Sequence, residues 1–363
     1  MDRRSFLRAG AVGTTAVAAS TLAAPAIAQG VQELKMVTSW PKNFPGLGTS
    51  ANRVAERIEA MSDGRFKVRV FGGGELVPAL KTQDALQEGT ADLYHSADYY
   101  FVGKTPSLAY FSAVPFGLTA NEQNAWLYHG GGQEIWDEIA AEFNVKPFAA
   151  ANTGVQMGGW FKNPITTIDD FKGLKMRIPG LGGDVVNALG GTSVTLAGAE
   201  IQPALQAGTI DATEWVGPWN DLAFGLYKVV KNYGYPGFHE PGTTLSAGVR
   251  KDLWDGLSDS DKAMMDAAIT AENCNGLAEF NANNGTALNQ LINDHGVNLF
   301  EIPDDVYTAI GEASRDVLAG TASSDAMTQK TYDSFMAFRK NAVEWTRLSD
   351  QSYANKRSLV DFG

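Results

Sequence analysis

The sequence predicts an α/β protein of two lobes, with a cleft between them and a long C-terminal helix. Three observations carry this. The chain opens, past its first thirty or so residues, in β-α-β-α-β order, the order that builds a mainly parallel sheet. A short segment recurs, ALQEGTAD at 85–92 and ALQAGTID at 204–211, as though one helix–turn–strand unit served in two lobes. From Glu301 onward the chain reads as helical, with apolar residues at three- and four-residue spacing.

The elements follow in order. Residues 1–28 are set aside from the fold. Arg3-Arg4-Ser5-Phe6-Leu7-Arg8 is a twin-arginine element; a weakly apolar stretch and the A-x-A pattern Ala26-Ile27-Ala28 follow. This predicts a twin-arginine export signal cut after Ala28, and work in the periplasm. Glu33–Ser39 reads as the first strand. Gly48–Met61 is an amphipathic helix, with Ala51, Val54, Ala55, Ile58 and Met61 on one face. Asp63-Gly64 turns the chain into an alternating strand, Phe66–Phe71. Pro78–Gln87 is a helix with Gly89 as its stop, and Ala91–His95 is the next strand.

Asn152–Phe161 (NTGVQMGGWF) is another strand candidate. Its glycines, Gly154, Gly158 and Gly159, point to a hinge or a close backbone approach. Leu174–Pro179 (LKMRIP) sets Arg177 between apolar neighbours in a short strand. Asp325–Asp361 carries Tyr332, Phe335, Met336, Phe338, Val343, Trp345 and Leu348 at helix spacing, a long helix that packs beyond its own lobe. The division expected is lobe I from 29–151 plus about 241–300, lobe II from 152–240, and a helical region over 301–363.

Composition narrows the function. The whole chain carries a net charge of −12; without residues 1–28 it holds 26 basic and 40 acidic residues, net −14. That disfavours nucleic acid and anionic membranes, though not a small anion in a local pocket. Cys274 is the single cysteine, so no internal disulfide forms, and it reads as a small buried residue. Four separated histidines give no zinc spacing, and there is neither a P-loop nor a G-x-G-x-x-G. Tyr128-His129-Gly130-Gly131-Gly132 imitates an esterase oxyanion loop, but its partner G-x-S-x-G is missing, so it reads as a helix break. Without a catalytic set, the chain reads as a binder and not an enzyme.

The repeat says where binding occurs. Tyr94-His95-Ser96 and Tyr99-Tyr100 follow the first copy; Glu214-Trp215 follows the second. Ligands of open α/β sheets gather at the carboxyl ends of strands, so both stretches are expected to face the cleft.

The export signal, the two lobes, the arginine of LKMR and the long C-terminal helix resemble the solute-binding proteins of TRAP (tripartite ATP-independent periplasmic) transporters. The likeness spans the chain beyond the export signal, and implies the two-lobed periplasmic binding protein fold. ANTGVQMGGWF, GLKMRIPG, ALQAGTIDATEWVGPW and YYFVGK resemble the subgroup that binds 2-oxo acids such as pyruvate together with a metal cation. The resemblance implies that Arg177 grips the substrate carboxylate bidentately, which suits its planar donor fork. It implies Glu214, Gln156 and the backbone carbonyl of Trp215 as metal ligands, with Glu240 a further candidate. These are hard oxygens, suited to Na⁺ or Ca²⁺ and not Zn²⁺. Tyr100 and Asn152 would hydrogen-bond the ligand, Trp215 would close over it, and Tyr99, Phe161 and Trp219 would limit its size. Asp98 and Phe101-Val102 depart from the pattern; an acid at 98 would either weaken anion binding or face solvent.

The expected protein therefore captures a small 2-oxo monocarboxylate with a cation and delivers it to a membrane permease, as a homodimer through the C-terminal helix. Alternatives are lactate or another 2-hydroxy or sugar acid on the same fold, a sensor, or a periplasmic hydrolase. A dicarboxylate would need a second cationic group near the cleft. Arg177→Ala is expected to abolish binding and leave the fold intact.

Overall fold

The structure, a computed structural model, describes residues 30–361. The export signal read at 1–28 lies outside them. Two sheets organise the chain.

The first sheet is entered through β1 (Gln32–Thr38), α1 (Gly48–Met61), β2 (Phe66–Phe71), α2 (Thr82–Gln87) and β3 (Leu93–Ser96). The three strands are parallel, with β1 between β2 and β3. Val54 and Ile58 of α1 are fully buried against them, whereas Met61 at its end is half exposed. Next come α3 (Ala120–His129) and α4 (Gly132–Ala141). The turn between them passes through Gly131 at φ +84°, so the glycine run is the helix break expected. β4 (Val145–Asn152) then reaches the far edge of this sheet.

The second sheet is built from β5 (Gly159–Phe161), β6 (Lys175–Arg177), α5 (Gly180–Ala188), β7 (Thr192–Val194), α6 (Gly198–Ala207), β8 (Ala212–Thr213), α7 (Pro218–Phe224) and β9 (Asn232–Tyr235). Asn152–Phe161 is therefore not one strand. It ends β4, crosses between sheets over residues 153–158, and begins β5. Gly159 shows why glycine is needed at the landing: φ is +126°, and a Cβ would lie 2.8 Å from the Thr213 carbonyl oxygen.

β10 (Thr244–Arg250) returns to the first sheet, antiparallel between β3 and β4. α8 (Lys251–Gly256) leads into α9 (Asp259–Asn293), at 35 residues the longest described helix. Ser258 caps it, accepting from the Asp261 amide at 3.1 Å. Its buried residues Met265, Ala268, Ile269, Asn273, Gly276 and Phe280 fall at three- and four-residue spacing. α9 packs on β4, α1 and α7, so one helix braces elements of both sheets. Cys274 is exposed on it, not buried; it falls on the outer face, out of step with that stripe.

β11 (Asn298–Glu301) pairs parallel to β9 at the edge of the second sheet. Residues 298–300, grouped with lobe I in the sequence reading, and Glu301, read there as the start of the helical region, thus join the second sheet, because α9 has carried the chain across. α10 (Asp304–Ala322), α11 (Ala326–Leu348) and α12 (Asp350–Arg357) finish the chain. The expected single helix over 325–361 is two. Ser349 leaves helical geometry and Asp350 opens the next first turn, a start signal by cap and dipole.

The recurring segment is a true structural repeat. In each copy a glycine at φ +71° (Gly89, Gly208) ends the helix. In each, the threonine amide then bonds back to the alanine five residues earlier, Thr90 to Ala85 and Thr209 to Ala204. In each, the closing aspartate brackets a lysine of the neighbouring parallel strand. The Asp92 amide donates to the Lys35 carbonyl and its carboxylate accepts from the Lys35 amide; Asp211 does the same with Lys175. One unit, used twice, delivers β3 and β8 to equivalent places.

Candidate functional site

The carboxyl ends of β3, β6 and β8 converge, as strand ends in open sheets do. β6 ends in Arg177. β8 runs straight into Glu214 and Trp215. After β3 a short helical turn over Asp98–Phe101 presents Tyr99 and Tyr100. Between them lies a small cavity of about 10 Å³, lined among others by Trp40, Tyr99, Tyr100, Gln156, Trp215 and Thr243.

Arg177 is 1% exposed. Its Nη1 pairs with Glu214 Oε1 and also donates to the Glu214 carbonyl. Nη2 donates to Tyr100 Oη at 3.3 Å and to the Leu196 carbonyl at 3.2 Å. Its guanidinium carbon sits 5.3 Å from the centre of the Trp215 ring, in cation–π range. Burial works against the Arg177 charge, but Glu214, Tyr100 and Tyr99 more than offset it and hold its pKa above the ordinary value. Burial likewise raises both tyrosines. A permanent cation is therefore held in the cleft wall, one ring away from the cavity.

Opposite it is a second polar group. Gln156 Nε2 donates to Glu240 Oε2 (2.8 Å), Thr153 Oγ1 (3.0 Å) and Thr243 Oγ1 (3.1 Å). Thr243 Oγ1 also donates to Glu240 Oε2. Burial, then the Glu214 charge, pushes Glu240 up to about 7, while His239, Thr243 and Arg177 pull the other way. His239 Nε2 stands 3.6 Å from Glu214 Oε2.

Several buried atoms here have no hydrogen-bond partner: Gln156 Oε1, Glu214 Oε2, Trp215 Nε1 and both ring nitrogens of His239. Native interiors leave few such atoms, and each calls for a reason. An incoming ligand or ion supplies one. Glu214, His239 and Glu240 each offer a donor atom within 4.8 Å of the others. The unpaired oxygens of Gln156 and Glu214 fit an oxygen-coordinated cation.

Arg177, Gln156, Tyr100, Trp215, Glu214 and Glu240 are thus brought together. Asn152 belongs elsewhere: its amide is committed to Gly154, Gly242 and Thr244, holding the crossing segments together. Phe161 faces the second sheet's own core beside Phe300, and Trp219 packs on Phe280; neither lines the cavity. Asp98 neither faces solvent nor adds free charge to the cavity. It is fully buried, accepting from Trp136 Nε1 (2.7 Å), Ser246 Oγ (2.5 Å) and Tyr94 Oη (3.1 Å).

Three contributors escaped the sequence reading. Trp40 stands directly past β1, a strand end of the same parallel set, so the rule that found Tyr100 would have found it. His239 sits beside Glu240 in a turn that carried no spacing signal. Thr243 closes the same turn. A roomier groove between α10 and α11, lined by Phe116, Leu318, Tyr332 and Met336, offers no buried ion pair and no orphaned polar atom among the described residues.

The comparisons with known proteins agree with this geometry. The family model described as bacterial extracellular solute-binding protein, family 7 (DctP), matches residues 36–325. The monocarboxylate 2-oxoacid-binding periplasmic protein of Nostoc is 42% identical over 360 residues, covering 98% of each chain. A TRAP solute-binding protein of Bordetella bronchiseptica, with calcium and picolinate in its site, superposes with a TM-score of 0.88 at 32% identity, covering 91% of this chain and 98% of its own. One from Pseudoalteromonas atlantica, with bound sodium and pyruvate, gives 0.87 at 36%, covering 90% and 99%. The two sheets with convergent strand ends are thus the two-lobed fold of these periplasmic proteins, and the chain belongs to the DctP family of TRAP-transporter solute-binding proteins, which bind and do not turn over their solutes.

Proposed function

We propose that this protein captures a small 2-oxo monocarboxylate such as pyruvate, together with Na⁺ or Ca²⁺, and delivers it to a membrane permease. The carrying observation is the pairing of a buried, permanently charged Arg177 with two orphaned oxygens, Gln156 Oε1 and Glu214 Oε2, beside one small cavity. Arg177 would bind the solute carboxylate, with Tyr100 Oη already on its Nη2 to steer it. Glu214, Gln156 and the Trp215 carbonyl would hold the cation, with Glu240 behind Gln156. A bound cation would supply the positive charge that one arginine facing two carboxylates and an anionic solute lacks. Trp40 and Trp215, with ring centres 6.4 Å apart, exclude water, which strengthens each charged contact.

The segments crossing between sheets, about 152–158, 236–243 and 294–297, would act as the hinge of closure. Export by the twin-arginine route rests on Arg3-Arg4 and the A-x-A pattern. A homodimer through the C-terminal helices rests on Trp345, Leu348 and Tyr353, each about 70% exposed there.

The test is calorimetric titration of metal-stripped protein with pyruvate, 2-oxobutyrate and lactate, each with and without Na⁺ or Ca²⁺. Pyruvate binding that weakens at least about tenfold without cation is expected, since ligand and ion share the pocket. Tight, cation-independent binding would overturn the metal role; lactate preferred over pyruvate would move the assignment to 2-hydroxy acids.

A further inference from the structure

One aromatic wall of the cavity, Trp40, is held at both ends. It follows β1 and is buried. Its carbonyl accepts from the Gly73 amide at 2.7 Å and from the Thr38 hydroxyl at 3.1 Å. Its indole Nε1 donates to His95 Nδ1 at 2.8 Å, across 55 residues of sequence. An indole N–H only donates, so Nδ1 is the acceptor and the proton of the neutral imidazole sits on Nε2. That nitrogen lies 3.3 Å from Ser50 Oγ of α1, which accepts from it. Burial, then the Arg53 charge, lowers His95 to about 3, so the ring stays neutral and the acceptor stays in place near neutral pH.

The pinned ring meets the cavity. Its centre is 6.2 Å from that of Tyr100 and 6.4 Å from that of Trp215, which belongs to the other sheet. The cavity is tight, so the residues that cannot yield set its limit. Its apolar lining comes from Trp40, Leu47, Val216 and Leu245. The oxygens of a 2-oxo acid would go to Arg177 and the cation, which leaves its alkyl end to that apolar set. Leucine and valine can change rotamer at small cost. The Trp40 ring can turn only by breaking a bond to a fully buried partner and leaving an N–H and an imidazole nitrogen unmet.

We infer that His95 is a positioning residue: by fixing the Trp40 indole it makes Trp40 the wall that limits the length of the solute's alkyl chain. His95 does not itself line the cavity. It stands behind Trp40 at the carboxyl end of β3 and acts only through the ring. The size limit that the sequence reading assigned to Phe161 and Trp219 passes in this way to Trp40. The inference deepens the proposed function and rests on it, since it takes this cleft as the 2-oxo acid site.

The experiment titrates the full-length mature protein, in excess Ca²⁺, with pyruvate and with 2-oxopentanoate, and takes the ratio of the two affinities. The parent should favour pyruvate. In Trp40→Leu the ratio should fall by about 100-fold, the scale for two methylenes that no longer clash. His95→Leu strands the indole N–H and should lower the ratio by about 10-fold, the scale of one hydrogen bond. His95→Asn can offer its Oδ1 in place of Nδ1 and should stay within about twofold of the parent. A merely structural histidine would not give that rescue. Nitrogen NMR of the parent should show coupling across the hydrogen bond between the indole and imidazole nitrogens, with the imidazole proton on Nε2. An unchanged ratio in Trp40→Leu, or equal ratios in His95→Leu and His95→Asn, would overturn the inference while pyruvate is still bound, and leave the proposed function standing. Absent coupling in the parent would overturn it even where a variant fails to fold. A parent that binds neither acid would overturn the proposed function and the inference with it.

Discussion

Two buried acids in this protein receive opposite treatment. Asp98, just past β3, is surrounded by neutral donors that meet both of its oxygens. Glu214, just past β8 in the second copy of the repeat, has a cationic partner on one oxygen and nothing on the other. Burial raises Asp98 to about 6. The contrast separates structure from function. A polar group whose partners are complete is a strut, and one left short of partners by its own chain is awaiting something else. Asp221 sits between the two kinds. It is raised to about 7 by burial, fully satisfied by Tyr233, Trp160 and the Val216 amide, and so supports the loop that carries Trp215.

The comparison breaks most visibly at Arg177. Arg177→Ala should weaken pyruvate binding by about 1000-fold or more, because a desolvated charge partner is lost. The burial of the Arg177–Glu214 pair revises the expectation that the fold is untouched. Stranding Glu214 should destabilise the ligand-free protein by about 3 kcal/mol or more. Arg177→Met with Glu214→Gln should recover the melting temperature and not the binding. Calorimetry and thermal denaturation together decide it; full binding by the single variant would refute the carboxylate anchor.

A smaller effect is expected on the cation side. Gln156→Met removes the orphaned oxygen and one of the two side-chain donors on Glu240, leaving Thr243. Pyruvate affinity should fall by about 10- to 100-fold, with most of its cation dependence gone. A variant that keeps the same dependence on Ca²⁺ would exclude Gln156 as a ligand.

Asp98→Asn sharpens the other side of the contrast and should have the least effect on binding, within about twofold, because every contact of Asp98 is internal to the first lobe. Its signature is in pH. The folded pKa is raised, so the stabilising contribution is complete below the unfolded value near 4 and is lost as pH rises through about 6, amounting to at most about 3 kcal/mol. The amide can accept from Trp136 and donate to the Ser246 and Tyr94 hydroxyls. The variant should therefore melt higher than the parent at pH 8 and lose the parent's gain on acidification to pH 5. Identical melting profiles across that range would show that Asp98 is not the group responsible.

Much of the fold was legible because it depends on short-range chemistry. Gly89 and Gly208 are glycines because the chain must turn left-handed there. The alternation of Phe66–Phe71 and the spacing of Val54 and Ile58 are local consequences of burying one face. Arg177 and Glu214 were legible too, as a cation among apolar neighbours and an acid at a strand end. The missed features are those that sequence distance hides. The break at Ser349 competes with an unbroken apolar pattern. The paths of α9 and β11 across both sheets depend on packing against β4 and β9, and Phe161 and Trp219 are equally aromatic wherever they point.

By itself the sequence determined the elements, the repeat that places two loops at equivalent strand ends, and the residue types able to bind a carboxylate and a cation. All of these follow from local geometry and from the chemistry of single side chains. Only the tertiary structure decided which of those polar groups would satisfy one another. It closed Asp98 into a complete shell, tied Asn152 to the crossing segments, and left Gln156, Glu214 and His239 with open valences around one cavity. The physical reason is that hydrogen-bond satisfaction is a property of three-dimensional neighbourhoods, which segments more than fifty residues apart assemble together.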